Sequence, residues 1–151
     1  MKDKVELLNS VEYELVSKAL FEILCKANAI PSGVKPQYQS LKEAESIGLF
    51  SLPGAKYTRR WIGGGFKAQL PFQIAYICKP TNNAQRLAKQ EVVDSIADYL
   101  TTTIYPELSD NRKITEITVN SSTYVSNADT SGNVTFVRTG ILHYKKKGVI
   151  S

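Results

Sequence analysis

Residues 66–78 read FKAQLPFQIAYIC, and Phe66, Ala68, Leu70, Phe72, Ile74, Tyr76 and Cys78 hold every second position. Lys67, Gln69 and Gln73 fall between them, and Lys79 follows. A period of two sustained this far predicts a long strand with one face on a core. Pro71 has no N–H to give a ladder, so part of this strand is expected at an edge or a bulge. Just upstream, Gly63, Gly64 and Gly65 predict a turn that folds a preceding strand, Tyr57 to Ile62, back on it as a hairpin within 47–79.

Helical periods flank this hairpin. Leu15, Val16, Ala19, Leu20, Ile23, Leu24 and Ala27 recur at three- and four-residue steps and predict an amphipathic helix over 9–28. Asn9 and Glu12 have capping-box spacing; the Glu12 carboxylate is expected to turn back to the first backbone N–H, which would account for a charge inside the apolar arc. Residues 30–46, IPSGVKPQYQSLKEAES, show no sustained period and read as a connecting loop, mobile in a free subunit and ordered in an assembly. A second helix is expected over 82–103, with Asn82 and Gln85 at its start and Pro106 beyond its end. Ala88, Val92, Ile96 and Leu100 would form its buried ridge, and Glu91, Asp94 and Asp98 share the opposing face. Two β-rich stretches, Lys113–Val125 and Val134–Tyr144, joined by the turn DTSGN, predict a second hairpin over 113–144. Lys145, Lys146 and Lys147 then begin a tail, 145–151, that reads as a flexible electrostatic arm. The fold class is α+β: a mainly antiparallel sheet of two hairpins with two helices packed on one face, in a single domain over 1–151. The order helix, hairpin, helix, hairpin is a weak symmetry, with no longer repeat.

The chain has 151 residues, 42% hydrophobic and 22% charged, in the ordinary globular range. The longest nearly apolar stretch, Leu70–Cys78, falls far short of the roughly 20 residues a spanning helix needs. MKDKVELLNS alternates charges where a secretory signal would have an apolar core, so no membrane role and a cytoplasmic location are expected. Cys25 and Cys78 lie in patterned apolar segments and read as small buried hydrophobes.

The net charge of +5 is unevenly spread. Residues 46–90 carry seven basic and no acidic side chains, 91–129 two basic and seven acidic, and 130–151 four basic and no acidic. Such blocks suit either a polyanion-binding face or complementary faces that meet in an assembly.

Catalysis needs convergent acid, base, nucleophile or metal groups, and the chain offers one histidine, His143, in a predicted strand. GGGFKA lacks the GK[ST] ending of a phosphate loop and reads as a hairpin turn. Glu91, Asp94 and Asp98 come from one helix, whereas hard-cation sites draw ligands from several elements, so an interface or solvated face is the better reading. Asn120-Ser121-Ser122 and Asn133-Val134-Thr135 match glycosylation acceptors, a match without meaning in the absence of a signal peptide. No enzyme activity, cofactor or metal is expected. Lys56, Tyr57, Arg59, Arg60, Trp61, Phe66 and Lys67 interleave cations with aromatics, a composition that suits phosphates and bases and equally a protein interface. A small basic nucleic-acid-binding domain is therefore the alternative function.

Over SLPGAKYTRRWIGGGFKAQLPFQIAYICKPTNNAQRLAKQEVVDSIADYL, residues 51–100, the sequence resembles minor capsid proteins of tailed phages and prophages of Gram-positive bacteria that look like tail terminators. The resemblance extends over roughly residues 47–146. It rests on the Arg-aromatic pair before a Gly-rich turn, the Gln69-Leu70-Pro71-Phe72 strand, and Lys79-Pro80-Thr81-Asn82-Asn83 leading into the helix. It implies a homo-oligomeric ring, a hexamer, that caps the tail tube and joins it to the head. The implied partners are the tail tube protein and a head–tail connector protein, with DNA passing through the ring without specific binding. The implied location is the host cytoplasm during assembly and then the virion. Tyr57, Arg59, Arg60 and Trp61 on the hairpin and Glu91, Asp94 and Asp98 on the helix are the expected interface residues.

Overall fold

The computed structural model describes residues 5–148. Asn9 caps helix α1, Ser10–Cys25, by accepting from the Glu12 N–H. Strands β1 (Gln37–Tyr38), β2 (Ser46–Ser51), β3 (Lys56–Arg60) and β4 (Phe66–Cys78) follow, then α2 (Asn83–Thr102), β5 (Arg112–Val119), β6 (Tyr124–Ala128) and β7 (Val134–Lys146). Only β1 runs parallel to its neighbour, β2; every other pairing is antiparallel, so the α+β class with a mainly antiparallel sheet holds.

The alternating segment forms the centre of this sheet. β4 and β7 each have 13 residues and pair along their whole length, from Phe66 opposite Lys146 to Cys78 opposite Val134. The outer edge of each long strand is shared by two short ones. β2 covers 72–77 of β4 and β3 covers 66–69; β5 covers 140–146 of β7 and β6 covers 134–137. Each half of the chain is thus a helix, a divided edge and a long strand, and the two halves meet at the Phe72–Gly140 pair in the middle of both long strands. Gly140 is required there, because a Cβ would stand 2.4 Å from the Thr118 carbonyl oxygen and 2.7 Å from the Phe72 ring.

This arrangement corrects several expectations. Pro71 lies neither at a sheet edge nor in a bulge but in a central strand, opposite the gap between β2 and β3. Its carbonyl accepts from the Leu52 N–H, 2.9 Å, and no ladder partner there requires a donor from Pro71. The stretch 113–125 is two strands, broken where the Asn120 N–H bonds the Thr139 carbonyl, 2.8 Å. The loop 30–46 contains β1, held by its pairing to β2 and by the Gln39 side-chain carbonyl, which accepts from the Ser51 N–H. The tail is no arm over 145–148: Lys145 and Lys146 complete β7, and the Lys147 N–H bonds the Asn111 carbonyl, 3.0 Å. Residues 149–151 lie outside the described residues.

Both helices pack on the same face. Val16, Leu20, Ile23 and Leu24 of α1 and Val93, Ile96 and Leu100 of α2 share one buried cluster with Leu70, Phe72, Ile74 and Tyr76 of β4 and Phe136, Leu142 and Tyr144 of β7. The ridge of α2 is therefore Val93, Ile96, Ala97 and Leu100, with Val92 at its flank. Ala88 is exposed, because burial along α2 starts only after its first turns. Cys78 is buried as expected, whereas Cys25 is exposed in the last turn of α1.

Glu12 belongs to this buried layer and not to the helix cap. Its carboxylate accepts from Arg112 Nε (2.9 Å), Arg112 Nη2 (2.5 Å) and the Tyr144 hydroxyl (3.0 Å). The pair ties α1 to the start of β5, and both side chains are more than nine-tenths buried.

Candidate assembly surface

The β3–β4 turn closes through the Trp61 N–H on the Gly65 carbonyl, 2.9 Å, and the Gly64 N–H on the Trp61 carbonyl, 3.1 Å, with Gly64 at φ +90°. That left-handed backbone is the reason for glycine there. The predicted hairpin residues separate into two sets. Tyr57 points to the helix side, edge-on to Phe66 at 5.0 Å, and its hydroxyl accepts from Asn9. Arg60 lies over the Tyr57 ring, 4.4 Å from its centroid, and pairs with Glu6 at 2.5 Å. Arg59 instead stacks over Trp61 at 5.1 Å, and Trp61 is 43% exposed. Ile62, at the tip, is fully exposed.

The turn does not stand alone. Trp61, Gly63 and Gly65 line one open cleft with Glu107, Leu108, Asn111, Arg112 and Lys113 before and on β5, and with Lys145, Lys146, Lys147 and Gly148 at the end of β7; its volume is about 710 Å³. The fold brings together two basic segments that lie some eighty residues apart in sequence, because β4 starts where β7 ends.

The acidic residues lie elsewhere. Glu91 and Asp98 are exposed on α2, while Asp94 is half-buried and engaged within the chain: it accepts from Arg138 Nη1 at 3.0 Å and from the Thr123 hydroxyl. Asp94 thus holds α2 to β7 and to the turn after β5, a role its spacing with Glu91 and Asp98 did not reveal. Arg138 and Lys146 are eight residues apart on β7, which at strand rise puts the acidic side about 26 Å from the basic end. The expected residues therefore form two separated groups, a cationic end and an acidic flank.

Sequence reasoning missed what register alone supplies. Arg59 pairs with Lys67, Lys67 with Lys145 and Lys145 with Lys113, so one row across β3, β4, β7 and β5 carries four exposed cations. Directly paired residues point to one face of an antiparallel sheet, and here that is the face away from the helices. The adjacent row on the helix side, Arg60, Phe66, Lys146 and Arg112, has acids built in: Glu6 for Arg60 and Glu12 for Arg112.

Among the described residues no group of His, Cys, Asp and Glu converges to hold a metal, and no helix is long and apolar enough to cross a membrane. His143 is partly exposed on the open sheet face, between Gln69 and Glu116.

No protein-family model matches the chain, and no curated protein matches it. The fold does have a match among solved structures. A chain from the virion of a native gene transfer agent (GTA) particle superposes with a TM-score of 0.61 at 12% sequence identity, over 91% of this chain and 99% of that one. What is shared is the fold. The alignment takes in nearly the whole of both chains.

Proposed function

We propose that the chain is a structural subunit of a phage-type virion, a tail terminator-like ring protein that caps the tail tube and joins it to the head. The observation that carries this reading is the end-to-end likeness in fold to a chain of the gene transfer agent virion. The resemblance of residues 51–100 to tail terminator-like minor capsid proteins points to the same class. Charge placement supports assembly from copies of itself: a ring with head-to-tail contacts sets one patch of each subunit against a different patch of the next, and the chain has a cationic end and an acidic flank about 26 Å apart. Arg59, Arg60 and Trp61 at the hairpin end, with Glu91 and Asp98 on α2, are the exposed groups that would face a neighbouring copy, while Tyr57 packs on Phe66 and Asp94 pairs with Arg138. A hexamer is the expected ring, with the tube protein on one side and the head–tail connector on the other. The role is structural, with no enzymatic step and no cofactor.

Deleting the coding sequence from its own genetic element tests the function. Loss of a terminator leaves tubes of uncontrolled length and heads without tails, and supplying the chain in trans restores joined particles of uniform tail length. Joined tails of normal length in the deletion would overturn the proposal.

A further inference from the structure

We propose that the open face of the sheet at its basic end is a sequence-independent binding site for the phosphate backbone of DNA, centred on Arg59, Lys67, Lys145 and Lys113. Register makes these four cations direct neighbours. Three interstrand steps of about 4.8 Å give the row a length of about 14 Å.

Like charges placed directly opposite each other across strands destabilise a sheet. Lys145 suffers this twice, from Lys67 on one side and Lys113 on the other. Among the described residues none of the four has an acidic partner within salt-bridge distance, in contrast to Arg60, Arg138 and Lys89, each of which has one, and Arg112, which has two. Glu107 is paired with Lys113 by an isolated antiparallel bridge beyond β5, without a salt bridge between them, and Glu116 stands one row along β5. Arg59, Lys67 and Lys145 thus stand side by side at a cost in folding energy with no acid in register among the described residues, an arrangement an external polyanion would relieve.

The shape of the site favours phosphates over an acidic protein surface. Lys113 and Lys145 also line the cleft, where Lys146 and Lys147 add charge and Trp61 offers an exposed ring held by the Arg59 stack. Cations along a groove with an aromatic platform are how proteins hold a nucleic-acid backbone without reading sequence. This site shares only Arg59 and Trp61 with the proposed subunit contact; Lys67, Lys113 and Lys145 are its own and are all exposed.

The test measures binding of the full chain to a fluorescent 30-base-pair duplex of arbitrary sequence, to the corresponding single strand, and to polyglutamate, between 50 and 200 mM salt. With four phosphates neutralised, log K for duplex falls against log salt with a slope of about −3.6, close to a hundredfold loss over that range. The variant Lys67→Gln/Lys113→Gln/Lys145→Gln should reduce the slope to about −0.9. It should also melt at or above the temperature of the parent chain, because it removes the repulsion. Lys18→Gln/Lys26→Gln, two exposed α1 lysines, should leave the slope unchanged. Absence of duplex binding at 50 mM salt would overturn the proposal. So would equal losses in the α1 control, which would reduce the effect to net charge, or polyglutamate binding as tight as duplex, which would assign the row to an acidic protein. Failure of any of these arms leaves the virion role untouched, since that role rests on the fold and is read from tail length.

Discussion

At the start of α1 the buried Glu12 carboxylate is held by Arg112 and the Tyr144 hydroxyl. The spacing Asn9 to Glu12 does mark the start of α1, and Asn9 caps it as predicted. The carboxylate goes elsewhere because a stronger partner, Arg112, arrives from a hundred residues away, a contact no local pattern encodes. Burial pushes the Glu12 carboxyl up, but the bonds from Arg112 and Tyr144 outweigh it and hold the group below its ordinary value. Burial, reinforced by the Glu12 charge, pushes the Tyr144 hydroxyl far up, so it remains a donor at any physiological pH. Breaking a buried ion pair by removing one partner costs about 3–5 kcal/mol, and Glu12→Gln should lose that much in denaturant unfolding at pH 7. Since the folded carboxyl has the lower pKa, its contribution is present above the unfolded value, about 4.3, and is lost as pH falls through the folded value. The gap between parent and variant should therefore narrow steadily below about pH 4. A gap that stays constant to pH 2 would show that Glu12 acts by shape and not by charge.

At the scale of elements, what was legible followed the strength of the period. β4 announced itself through thirteen alternating residues, and its bounds match the pattern. The hairpin turn was equally plain from three glycines. The break between β5 and β6 was hidden because Asn120-Ser121-Ser122-Thr123 has neither Gly nor Pro, and the residues on both sides favour strands. The ridge of α2 was displaced because adjacent Val92 and Val93 both fit a helical stripe, and only the sheet beneath decides between them. The basic terminus misled for a related reason: lysines look solvated in sequence, yet strand pairing uses the backbone, and Lys145 and Lys146 are bonded between β4 and β5. Removing residues 145–151 should therefore lower the melting temperature by several degrees, since about 1 kcal/mol corresponds to roughly 2–8 °C in domains of this range. Lys145→Gln/Lys146→Gln/Lys147→Gln keeps the backbone and should melt near the parent. Equal melting of the truncated and full chains would return the segment to the status of an arm.

For the whole molecule, the pairing of the two long strands explains how separate basic blocks become one surface. β4 begins where β7 ends, so the charge of 46–90 and that of 130–151 add at one end while the acids of α2 lie at the other side. The charge blocks were visible in sequence; their superposition was not, because it depends on a register between strands more than sixty residues apart. Self-assembly on a tube is tested by mass in solution followed by electron microscopy of the chain mixed with tail tubes from its own source. Closed rings of one size should seat at a single end of each tube, with free chain shifting from monomer to ring as concentration rises or tubes are added. A chain that stays monomeric at high concentration and leaves every tube end bare would contradict it.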